Sequence, residues 1–75
     1  MFDRKKFDEA VERSGLKGPF IAENIGISYK LYQQKSLGNS QWKVDEALAF
    51  SRLLRLRKSE RDAIFFAKEV AKTET

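Results

Sequence analysis

The sequence predicts a small all-α fold of five short helices, and three observations carry that reading. Apolar residues recur at spacings of three and four along most of its 75 residues. Each helical segment is bracketed by residues that start or stop helices. Residues of strong β-propensity are scattered at helical spacing, so no strand pattern forms. There is no internal repeat, low-complexity stretch or linker, and residues 1–75 read as one domain.

The first helix starts after Asp3, a good N-cap, with Phe2 and Phe7 placed to form a hydrophobic staple across it. Phe7, Ala10, Val11 and Ser14 mark its inner face, and Gly15 stops it. The second opens at Gly18-Pro19, with proline at the first helical position, where its missing N–H costs nothing. Its buried side is Ile21, Ala22 and Ile25, and Gly26 supplies the left-handed residue that ends it. The third is capped by Ser28, with Ile27 and Tyr32 as a second staple, and runs to about Ser36. Gly38-Asn39-Ser40 is a loop.

The fourth helix covers about Val44 to Leu54, with Ala47, Phe50, Ser51 and Leu54 inward. Asp45 and Glu46 suit its N-terminal dipole, although Lys43 is a poor cap. The fifth runs from about Ser59, where Ser59 and Asp62 resemble a capping box, to Ala71; a start two residues earlier is the alternative. Ala63, Phe66, Ala67 and Val70 form its core stripe, with Ile64 and Ala71 at the edge. Trp42 is expected as a core plug between helices three and four rather than a base-stacking platform.

A chain this short buries only about 60–65% of the surface its unfolded form exposes, so its stability margin is small. It has no cysteine and no histidine, which leaves no disulfide, no thiolate or imidazole metal ligand and no imidazole base. The carboxylates of the first helix alternate with bases as on a solvent face. With no glycine-rich phosphate loop either, no nucleophile–base pair can be assembled. The chain is therefore expected not to be an enzyme, with no catalytic residues, metal, cofactor or small-molecule substrate. No apolar run is long enough to span a membrane, and a cytoplasmic location is expected, on the nucleoid when bound to DNA.

Net charge is +4, with a pI near 9.6. The excess lies in the middle of the chain, where Lys17, Lys30 and Lys35 face only Glu23. Lys43, Arg52, Arg55, Arg57 and Lys58 then outnumber Asp45 and Glu46. The group Arg52, Arg55, Arg57 and Lys58 reads equally as a phosphate-facing patch or a solvated turn.

The segment of about 18–37 concentrates the functional signal. Two short helices joined by a glycine turn cross at roughly 90–120°. Ala22 supplies the small residue where they touch, Gly26 the corner, and Ile21, Ile25 and Ile27 the pins beside it. On the third helix, Tyr29, Lys30, Gln33 and Gln34 fall on one arc of about 140°, with Leu31 and Tyr32 opposite. That arc holds a cation, two amides and a phenol, and no acid. Glutamine can pair with adenine and lysine with guanine in a major groove, and tyrosine can meet a phosphate or a thymine methyl.

At Ile21-Ala22, Gly26-Ile27-Ser28, Gly38, Ala47, Leu54 and Leu56 the sequence resembles phage and plasmid repressors of the Cro/CI type. These carry a lambda-repressor-like, XRE-type helix-turn-helix domain. The ending Arg61-Asp62-Ala63-Ile64-Phe65-Phe66-Ala67-Lys68-Glu69-Val70 is similar to that of small Cro-like regulators from phages of Gram-positive bacteria. The resemblance implies base contacts from Tyr29, Lys30, Gln33 and Gln34. It implies phosphate contacts from Lys17, Gly18 and Ser28 around the second and third helix starts, and from Asn39, Ser40 and Lys43. Gly18 stands where the family often has glutamine, so its contact would be a backbone N–H. Lys35 replaces an apolar residue and is expected to pack its stem with its head reaching solvent. Arg55 replaces a glycine, so that corner is expected to be strained.

The implied partners are a double-stranded DNA operator, a second copy of the chain in a homodimer, and a phage repressor; no membrane is implied. The competing reading is a protein-interaction module, antirepressor or antitoxin-like, that binds another regulator. Phe65 falls among Arg61, Lys68, Glu69 and Lys72 on the polar side of the fifth helix. It is expected to form the dimer or partner contact; the alternative is that Phe2 folds over it within the monomer.

Overall fold

A computed structural model describes residues 2–66 and contains five helices, with no strand among the described residues. They are α1 (Arg4–Ser14), α2 (Gly18–Ile25), α3 (Tyr29–Ser36), α4 (Val44–Leu53) and α5 (Lys58–Phe65). Pairwise packing joins α2 to α3 and α4, α5 to α1 and α4, and α1 to α3.

Local chemistry explains the first three boundaries. Asp3 Oδ1 accepts the Lys6 N–H at 3.0 Å, which caps α1, and the Phe2 and Phe7 rings lie 5.3 Å apart as the staple requires. The Asp3 N–H donates to the Ile64 carbonyl at 2.6 Å, so the cap also ties α1 to α5. Pro19 is the second residue of α2, one later than expected, because Gly18 already has helical geometry. Gly26 has φ 92°, and its N–H and that of Ile27 both reach the Ala22 carbonyl, at 2.9 and 3.1 Å. Ser28 Oγ accepts the Leu31 N–H at 3.1 Å and starts α3.

The last two helices begin differently. Lys43 and Arg57 occupy the N-cap positions, and neither side chain can accept a hydrogen bond. The acid three residues later supplies the missing half: Glu46 Oε1 accepts the Lys43 N–H at 2.9 Å, and Glu60 Oε1 accepts the Arg57 N–H at 2.8 Å. Thus α5 starts at Lys58, between the two expected starts, with Arg57, two residues before Ser59, as its N-cap. The Ser59–Asp62 box does not form, and Asp62 instead pairs with Arg61 at 3.1 Å. Ala67, Val70 and Ala71 lie outside the described residues. At the α4 end Arg55 adopts φ 56°, which places an arginine in the left-handed conformation where glycine would be relaxed.

The core is aromatic. Phe7 and Phe50 stack with centroids 4.7 Å apart, and Trp42 lies 5.4 Å from Phe7 and 5.7 Å from Phe50. Trp42 is therefore a plug beneath the α3–α4 connection. Phe65 belongs to this cluster: it is 6% exposed, 5.3 Å from Trp42 and 5.8 Å from Phe50. Phe2 covers it at 5.9 Å. The expected role of Phe65 as a dimer or partner contact is thus overturned. The reason is geometric: α5 lies against α1 and α4 together, so it buries a wider arc than a helix with one neighbour. Ile64 and Phe65, adjacent in sequence, are both buried, while Ala63 and Phe66 are only half-buried.

Candidate nucleic-acid interface

The side of α3 turned from the core carries Tyr29, Lys30, Gln33 and Gln34, all four exposed. The expected burial of Leu31 is not found; it is 38% exposed. The helix is anchored only by Tyr32 and Lys35, three residues apart, so its buried arc is too narrow to include Leu31.

The residues expected to meet phosphates bracket this face. At the N-terminal end of α3, Tyr29 stacks on Tyr32 with centroids 6.1 Å apart and planes at 17°. A Cβ on Gly18 would sit 2.8 Å from Tyr29 Cε1 and 3.2 Å from Tyr32 Cε2, so glycine lets the start of α2 approach both rings without displacing them. The Tyr32 hydroxyl is pushed up to about 12 by burial, with Tyr29 and Asp8 adding to the shift, and stays neutral at physiological pH. Gly18 opens α2, where the first backbone bond within reach runs from Ile21 N–H to the Lys17 carbonyl at 3.0 Å. The Gly18 and Phe20 N–H groups therefore have no intrahelical acceptor, and Lys17 offers no side-chain cap. The Ser28 oxygen serves the α3 cap, which leaves its O–H free to donate.

At the other end, the Asn39 N–H donates to the Gln34 carbonyl at 2.9 Å, and Asn39 Nδ2 donates to Gln34 Oε1 at 3.4 Å. The loop is thereby held against α3, roughly 12 Å of helix away from Tyr29. Lys43 is exposed; its backbone N–H is engaged by Glu46 but its ammonium is not needed for that bond. Ser40, like Gly18, is half-buried, and it lines an open cleft of about 570 Å³ with Phe2, Trp42 and Phe65.

Lys35 corrects a second expectation. Its head does not reach solvent: Nζ lies 2.8 Å from Glu46 Oε1, donates to the Gln41 carbonyl at 2.6 Å, and sits 5.9 Å from the Trp42 ring centroid. The Trp42 indole N–H returns a bond to the Lys35 carbonyl at 3.1 Å. Lys35 thus places a charge among the buried residues, and Glu46 compensates it. Burial pushes the Glu46 carboxyl up, but hydrogen bonds from Lys35 and the Lys43 N–H outweigh this and hold it below the usual carboxylate range. One carboxylate therefore fixes the end of α3, the loop and the start of α4 together. The available signal was a lysine at an apolar position followed by an acid three residues after a weak N-cap.

Among the described residues no cluster of acids suits a metal ion, and no helix is long and apolar enough to cross a membrane. No protein-family model, curated protein or solved structure matches the chain.

Proposed function

We propose that the chain is a sequence-specific DNA-binding transcriptional regulator of the Cro/CI type, with a lambda-repressor-like fold and its helix-turn-helix at about 18–37. The observation that supports this most is the acid-free exposed face of α3, bracketed by Gly18 and Asn39. In this reading α3 enters the major groove, and Tyr29, Lys30, Gln33 and Gln34 reach base edges. Lys17, Gly18, Ser28, Asn39, Ser40 and Lys43 meet phosphates on either side and set the register. The protein acts as a homodimer on a near-palindromic operator with half-sites about 10 bp apart, in the cytoplasm.

Selection from a random DNA library, followed by binding assays on the enriched site, tests the reading. Gln33→Ala and Gln34→Ala each weaken the preferred site by about 1–3 kcal/mol and barely affect random DNA. Lys43→Ala weakens both alike. Failure to enrich a symmetric site, or equal losses on both DNAs from the glutamine variants, refutes it.

The exposure of Leu31 (38%) and Leu37 (44%) at α3 favours a second reading, in which this surface binds another regulator as an antirepressor or antitoxin-like module does. A gel shift run with and without the neighbouring regulator separates the two. Direct shifting supports the first, and a shift only with, or abolished by, the partner supports the second.

A further inference from the structure

We propose that the corner between α4 and α5 is a binding site for phosphate groups, formed by Arg52, Arg55 and Lys58. These residues and Arg61 line an open cleft of about 450 Å³, floored by Leu48, Ser51 and Leu56. The Ser51 hydroxyl is committed to the Ala47 carbonyl at 2.8 Å, so the polar groups left for a ligand are cationic. Arg61 is compensated by Asp62 at 3.1 Å. Among the described residues, the other ion pairs are Arg4–Asp8, Arg13–Glu60 and Lys35–Glu46, and none of them engages Arg52, Arg55 or Lys58.

Three features of this corner are unfavourable. Like charges converge on one cleft, which raises their mutual repulsion. Arg55 is held at φ 56°, the one positive-φ non-glycine among the described residues, by bonds from its N–H to the Arg52 carbonyl (3.2 Å) and from the Leu56 N–H to the Ser51 carbonyl (2.9 Å). Lys58 is the first residue of α5, where the helix dipole disfavours a cation. The α4 C-terminus complements Arg52, but that effect fades within the last turn. A bound oxyanion relieves the first and third features and gives the strained backbone at Arg55 a use, since a guanidinium fork matches phosphate oxygens two at a time.

The site is separate from the DNA contacts proposed above and does not rest on them. Lys43 precedes α4 and Arg55 follows it, which puts about 15 Å of helix between them. The phosphate comes from one of two sources, a free polyphosphate such as pyrophosphate or the phosphodiester backbone of nucleic acid.

The test uses the full chain in about 0.15 M salt, titrated calorimetrically with pyrophosphate and, by fluorescence polarisation, with a random-sequence duplex. Three proteins are compared: wild type, Arg55→Gly and Arg57→Ala. Each variant removes one positive charge, but Arg57 does not line the cleft. Glycine also relaxes the backbone at position 55, so Arg55→Gly stays folded and its melting temperature does not fall. Wild type is expected to bind pyrophosphate at about 1 mM or tighter, with Arg55→Gly about tenfold weaker and Arg57→Ala within about twofold. If pyrophosphate does not bind but duplex affinity falls in Arg55→Gly alone, the source is the phosphodiester backbone. Equal losses in both variants, undiminished binding by Arg55→Gly, or no wild-type binding of either probe below about 10 mM overturns the proposal.

Discussion

Neutralising Glu46 tests the tie between α3 and α4. Lys35 Nζ and Glu46 Oε1 are 2.8 Å apart, with side chains only 4% and 12% exposed. At an effective dielectric of about 20 the gross attraction is about 6 kcal/mol, most of it offset by the several kcal/mol needed to desolvate each ion. The pair therefore adds little net stability, but removing one charge strands the other. Such losses run to about 3–5 kcal/mol in buried pairs. Glu46→Gln keeps an oxygen to accept from Lys35 and the Lys43 N–H, so its cost is expected at about 2–3 kcal/mol. Glu46→Ala also loses the cap, which adds about 1 kcal/mol and leaves the small domain substantially unfolded. The double variant Lys35→Met/Glu46→Gln recovers most of the loss, because no charge remains buried. Urea denaturation followed by circular dichroism and Trp42 fluorescence measures all three. A Glu46→Gln variant within about 0.5 kcal/mol of wild type refutes the reasoning. The pair also predicts acid sensitivity. With the folded carboxyl below its ordinary value of 4.5, the stabilisation is full above that pH and disappears as pH falls through the folded-state value. Glu46→Gln removes that part of the acid dependence.

Phe65→Ala is expected to cost roughly 3 kcal/mol or more, since it empties a buried aromatic site, and a stable monomeric variant by calorimetry contradicts the core placement. Gly26→Ala meets no atom within 4 Å but must hold φ 92°, so a loss of about 1–2 kcal/mol in thermal melts is expected from conformation alone. Gly18→Ala displaces the Tyr29 ring, which lies 2.8 Å from the added Cβ. The exposed end of that ring can move, so stability drops by about 1 kcal/mol or less while the tyrosine ring resonances shift in NMR spectra; unchanged resonances contradict the packing.

The legible parts were those whose causes lie within one helical turn. Asp3, Gly15, Gly26 and Ser28 act on backbone groups two to four residues away, so the boundaries of α1, α2 and α3 followed from residue order. The outward set Tyr29, Lys30, Gln33 and Gln34 followed from helical spacing once Tyr32 was taken as buried. Capping at Lys43 and Arg57 was harder to read, because the acceptor comes from Glu46 and Glu60 rather than from the N-cap itself.

What the sequence by itself determined is the helical content and turn chemistry, and with them the all-α class. These are settled by propensity, capping and φ-permissive glycines, each a short-range property. Only the tertiary structure decided which faces are shared. The narrow buried arc of α3 leaves Leu31 in solvent, α1 and α4 together bury both Ile64 and Phe65, and a carboxylate eleven positions away turns Lys35 inward. A helical wheel carries the phase of a face but neither the number of helices against it nor the partner of a charge. Those depend on how five helices divide one small core.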